Sequence, residues 1–191
     1  MHIELTDHLR CPREHPEAFL VLLPDRMDQR RVIAGHLGCP ICGWSTTWTD
    51  GVPDFGEGWR AEGAPAFDAI AAHAMLGIDG PGGWIALVGN AAALVTAITA
   101  LLPGVGFVAV NPPATVSPTS NVSVLLSGAW PFKAHSMRGV ILGDDASQWR
   151  AAAVATTLPG LRTIGSGEPP AGEHIQLLGN AGGVWVVAGR G

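Results

Sequence analysis

Tyrosine is missing from this chain, lysine occurs once, at Lys133, and only 14% of the residues carry a charge. About a quarter is usual for soluble domains. So little charge cannot cover the whole surface, and part of it is expected to be buried in a homo-oligomer or against another protein. A net charge of −5 with one lysine offers no basic stripe to neutralise a phosphate backbone, which excludes nucleic acid as the expected partner. No signal peptide is expected in the opening MHIELTDHLRC, which is neither basic nor apolar enough. The charge-free span 80–132 contains an apolar run, 84–102, of membrane-crossing length. Gly89-Asn90 breaks that run, much of it is alanine, and no Lys or Arg flanks it, so no membrane span is expected. Three cysteines, an odd number, give no disulfide framework and point to a cytoplasmic protein.

The stretch 83–113, GGWIALVGNAAALVTAITALLPGVGFVAVNPP, reads as strand, glycine turn, helix and strand. That is how a βαβ unit of a doubly wound parallel sheet begins. The strands are expected at 84–88 and 107–110. The helix between them, 91–102, has small residues on every face and should touch other elements on more than one side. Further strands are expected at 122–126, 139–142, 161–164 and 184–188. A helix over 65–76 should precede the unit, and another should run from Asp144 or Asp145, as cap, to about 158. The segment 173–178 reads equally as strand or short helix. The fold class is α/β, a Rossmann-like, mostly parallel sheet with flanking helices, preceded by a small β-rich zinc ribbon.

That ribbon is read from two knuckles, Leu9-Arg10-Cys11-Pro12-Arg13-Glu14-His15 and Gly38-Cys39-Pro40-Ile41-Cys42-Gly43, which hold all the cysteines. In a Cys-Pro-x-Cys-Gly turn the backbone N–H groups can face a thiolate while the glycine takes positive φ behind it. Cys11, Cys39 and Cys42 need a fourth ligand. His15 is best placed, with His8 and His36 as competitors, and the set reads as a closed structural zinc site. Strands are expected at 19–23, 31–37 and 44–49. The Gly-rich, acidic stretch after Phe55 divides the chain into a ribbon over 1–55, a linker over 56–64 and a second domain over 65–191.

The phrase LRCP…H…GHLGCPICGWSTTWTDGVPDF resembles the zinc ribbon at the N-terminus of some bacterial methyltransferases and of the small proteins that bind and activate methyltransferases. There, Cys-x-x-Cys is usual in both knuckles; here His15 stands for one cysteine. The second domain resembles a class I methyltransferase, which binds S-adenosylmethionine. The resemblance is carried by 84–89, 107–110, Ala129-Trp130-Pro131-Phe132…Met137-Arg138-Gly139-Val140-Ile141-Leu142, and the closing Gly183-Val184-Trp185-Val186-Val187.

The resemblance implies a cofactor site at Gly89, Asn90, Asn111 and Ser127, in degenerate form. Leu87 stands where an acid is expected, and Ala91 and Ala93 stand at later glycine places. Asn111 replaces the ribose carboxylate, and Ser127 replaces the acid facing the adenine amine. His135, Asp144 and Asp145 are the polar residues expected near the cleft mouth, and His73 reads as an ordinary surface histidine. Asn111-Pro112-Pro113 reads as a strand-ending turn. The expectation is a non-catalytic, methyltransferase-like interaction or accessory subunit. The alternatives are a working S-adenosylmethionine-dependent methyltransferase, or a Rossmann-like domain for another nucleotide or small ligand.

Overall fold

A computed structural model describes residues 1–190. Strands β1 (Val21–Asp28), β2 (Arg31–Gly38) and β3 (Ser45–Trp48) form an antiparallel three-stranded sheet. Seven more strands form the main sheet: β4 (Trp84–Val88), β5 (Gly106–Val110), β6 (Val122–Leu125), β7 (Gly139–Leu142), β8 (Arg162–Ser166), β9 (Ile175–Ala181) and β10 (Val184–Gly189). Their order is β6-β5-β4-β7-β8-β10-β9. β4 to β8 are parallel, and β10 alone runs against both its neighbours. The order reverses between β4 and β7, as in a doubly wound sheet. The fold is therefore Rossmann-like α/β, and the undecided segment after Gly172 is edge strand β9.

Alternate residues of the strands feed two separate cores. Ile85, Leu87, Phe107, Ala109, Val124, Ile141 and Ile164 face α1 (Ala69–Leu76) and α2 (Val95–Leu101). Ala86, Val88, Val108, Val110, Leu125, Val140 and Leu142 face the other way. There they join α3 (Arg150–Thr156) and residues of the N-terminal segment, including Met1, Leu5, Leu9, Leu37, Trp44, Trp48 and Phe55. A parallel sheet needs both faces covered. Neither the β5–β6 nor the β6–β7 connection contains a helix, and the N-terminal sheet covers this face instead.

Local structure departs from expectation at the helix starts. The 91–102 helix begins as a 3-10 segment, Gly89–Leu94, before α2. The one after β7 begins as a 3-10 segment, Asp144–Trp149, before α3. Neither Asp144 nor Asp145 caps it: the N-cap is Gly143, without a side-chain bond. By contrast, the Asp68 carboxylate caps α1, accepting from the Ala71 N–H at 2.8 Å. α2 buries only one side, Val95 and Ile98, and leaves Thr96, Ala97 and Ala100 exposed, so the expected contact on several sides is not made. Among the described residues no helix is long and apolar enough to cross a membrane.

Candidate metal centre and the carboxyl ends of the sheet

Cys11, His15, Cys39 and Cys42 come together with one ligand atom from each within 4.8 Å of all the others. Cys39 and Cys42 sit in the turn between β2 and β3, while Cys11 and His15 sit in the irregular stretch that leads into β1. Gly43 takes φ +70°, letting its N–H reach back to the Cys39 carbonyl at 3.0 Å. The Cys11 and Cys42 sulfurs are 3.6 Å apart, and the Cys39 sulfur is 3.3 Å from His15 Nε2. Thiolates at about 2.3 Å from a tetrahedral ion lie about 3.8 Å apart, so the spacing suits a four-coordinate ion.

The tautomer fits as well. His15 Nδ1 must carry hydrogen, because it bonds the Pro16 carbonyl at 2.6 Å, and this turns the Nε2 lone pair toward the sulfurs. Burial pushes the Cys11 thiol up to about 12. Burial works against the Cys39 thiolate too, but the N–H groups of Cys42 and Ile41 outweigh it and hold that thiol down at about 7. His36 instead faces Asp25 at 3.5 Å on the exposed ribbon surface, and His8 packs beside Trp84. The four-residue cluster can hold a metal ion.

The four residues expected at the cofactor site do converge on the carboxyl ends of β4, β5 and β6, but Asn111, Ser127 and the donors of Asn90 are bonded to the chain itself, and only the buried Asn90 Oδ1 is without a partner among the described residues. Asn111 is fully buried at φ +49°. Its Nδ2 donates to the Ser127 carbonyl at 2.7 Å, and its Oδ1 accepts from the Ser127 N–H at 2.9 Å. The Ser127 hydroxyl donates to the Ala129 carbonyl at 2.6 Å. Asn90 is 4% exposed; its Nδ2 donates to the Ala64 carbonyl and to Asp144, and its N–H donates to Asp145 Oδ1 at 2.9 Å.

Segment 55–64 lies across the same strand ends. Phe55 N–H donates to the Leu126 carbonyl, Gly128 N–H to the Gly56 carbonyl, and Ala61 N–H to the Asn111 carbonyl. Gly58 sits so close that a Cβ would stand 2.5 Å from Leu126 Cβ and 2.8 Å from the Ser127 nitrogen, so only glycine lets the backbones approach. Trp59 continues the cover, its ring centroid 5.0 Å from that of Trp149, which in turn contacts Trp130. In sequence this segment reads only as a Gly-rich link, because its contacts are backbone bonds to residues far along the chain, which composition does not report.

Of the polar residues expected at the cleft mouth, Asp144 and Asp145 are there, at the β4–β7 reversal. Burial, reinforced by the Asp144 charge, raises the Asp145 carboxyl above the usual aspartate value, against the Asn90 N–H and Trp59. His135 is not there. It lies at the opposite end of the sheet beside Gly83 and Trp84, with its Nδ1 donating to the Thr157 carbonyl at 3.4 Å.

No family model and no curated protein sequence matches the chain. Among solved structures, it aligns with a chain of the complex between the Haloferax volcanii Trm112 methyltransferase activator and a candidate methyltransferase. The alignment covers 51% of each chain, at 16% identity and a TM-score of 0.40, so this chain spans about half the length of that neighbour.

Proposed function

We propose that the protein is a zinc-stapled, methyltransferase-like chain that no longer catalyses methyl transfer and serves as an interaction or accessory subunit. One observation carries this reading: both ends of the Asn111 amide, which the resemblance puts in place of the ribose-binding carboxylate, are spent on the Ser127 backbone beneath segment 55–64. A nucleoside would have to break these bonds and lift that segment, without a carboxylate to receive it.

Zinc is the ion that the reading assigns to the Cys/His cluster. A closed tetrahedral set of three thiolates and one imidazole is its structural preference. A reducing, cytoplasmic setting keeps such thiolates available. The division into ribbon (1–55), linker (56–64) and sheet domain (65–191) belongs to the same proposal. So does an interface with a partner or a second copy, supported by the exposed apolar side chains Ile70 and Leu101 near an uncharged α2 surface.

Titration calorimetry with S-adenosylmethionine and its demethylated product tests the central point. Silence at millimolar ligand is expected. Micromolar affinity would favour the second reading, an active methyltransferase, for which the retained turn at Gly89, φ +67°, is the supporting feature.

A further inference from the structure

At the amino-terminal ends of β4 and β7, the opposite end of the sheet from the site above, is a cleft of about 500 Å³. We infer that it binds an organic monocarboxylate, with Lys133 as counter-ion and Trp84 and Phe19 as apolar walls. The inference does not depend on the metal cluster or on the fate of the strand-end site.

Lys133 is the only lysine of the chain and is 9% exposed. Its ammonium donates to the Asp7 carbonyl at 3.0 Å and sits 4.2 Å from the centre of the Phe19 ring. Among the described residues no carboxylate lies within 4.0 Å of it. A lysine buried to this degree normally has an anion beside its ammonium. The second cation of the cleft, Arg138, is also without one: its guanidinium is spent on the carbonyl oxygens of Asp79, Gly80, Pro81 and Gly82. The cleft therefore holds two cations with no carboxylate of the described residues at ion-pair distance, the side chains of Asp7 and Glu17 standing farther out at its rim.

The histidines and the rim set how much negative charge fits. Burial lowers the His8 pKa, so this ring adds no charge near neutrality. Asp7 and Glu17 have exposed side chains at the rim and repel a polyanion. One buried ammonium behind two rim carboxylates matches a single negative charge better than a phosphate dianion.

The walls define the rest of the ligand. Trp84 is 8% exposed at the cleft floor, while Phe19 is 75% exposed with its ring over the ammonium. So large an exposed aromatic beside an apolar cleft marks a surface suited to an apolar ligand body. An aromatic carboxylate would set its ring against these side chains and its carboxylate against Nζ.

The test is a titration of the full, metal-loaded chain with sodium benzoate, followed by 1H–15N NMR at the Trp84 indole and the amides of 133–136. Saturable shifts are expected, with a Kd at or below about 5 mM, and benzyl alcohol and inorganic phosphate should each bind at least about tenfold more weakly. Lys133→Met should weaken benzoate by roughly tenfold or more while keeping the dispersed spectrum. If that variant does not fold, the exposed Phe19→Ser serves instead, with a weakening of about threefold or more expected from lost wall contact. Absence of saturable shifts at about 20 mM benzoate, or equal binding by both tested proteins, overturns the inference. Phosphate binding as tightly as benzoate overturns it too, leaving only a bare-anion contact.

Discussion

Asn111 holds positive φ, which Asn tolerates better than most residues, and uses an amide donor and an amide acceptor on a single neighbour, the Ser127 backbone. Asn111→Asp would set a carboxylate oxygen against the Ser127 carbonyl in a buried site. The expected cost is about 2–4 kcal/mol by chemical denaturation, with no gain of S-adenosylmethionine binding. A neutral effect would mean that the amide is not engaged as described. The metal ligands give a second prediction. His15→Ala should lower metal content to well below one ion per chain, whereas His36→Ala should leave it unchanged, both read by elemental analysis. The cysteines and His15 were legible because knuckle spacing is local. The role of Asn111 was not, because its partner lies sixteen residues away and only the folded sheet brings them together.

At the scale of elements, the strands were legible and the helix starts were not. Runs such as Trp84–Val88 and Gly139–Leu142 are apolar at every position because both faces of the sheet are covered, and that signal survives in one sequence. The starts at Gly89 and Asp144 are instead shaped by each other: the two 3-10 segments meet, and Asp145 spends its carboxylate on the Asn90 N–H rather than on its own helix. The burial of this carboxylate, which outweighs the Asn90 contact, has a pH signature. The folded-state pKa of Asp145 is raised, so between the ordinary aspartate value and the raised one the folded state binds more protons than the unfolded chain. The contribution is fully present below the unfolded pKa and is lost as pH rises through the folded one. Asp145→Asn keeps an oxygen to accept from Asn90 and removes the charge, so a higher Tm than wild type is expected at pH 7. The gap should narrow as pH falls toward 4; thermal melts across that range check it, and a gap that widens on acidification would contradict the assignment.

For the molecule as a whole, the decisive feature is that the N-terminal segment shares its core with the main sheet. Met1, Leu5 and Leu9 pack in the same cluster as Val88, Val110 and Leu142, and the Met1 amine donates to the Val32 and Gly51 carbonyls. Composition marked a boundary near Phe55, but composition does not report which face of a sheet a segment will cover. Two units joined by a free tether would melt separately, the small one first. A shared core instead couples them, since opening the knuckles uncovers the apolar face of β4, β5 and β7. Metal binding free energy is folding free energy where the knuckles cannot hold their shape alone. Stripping the ion with a chelator should therefore destabilise the sheet as well. If about 5 kcal/mol of coupling is lost, Tm falls by about 10–20 °C for a chain of this size. Near-ultraviolet circular dichroism of the tryptophans and far-ultraviolet signal of the sheet should fall together in one transition, before and after chelation. A knuckle-local change that leaves the sheet transition in place would show that the two parts hold their structure independently, and the coupling drawn from the common core would then be wrong.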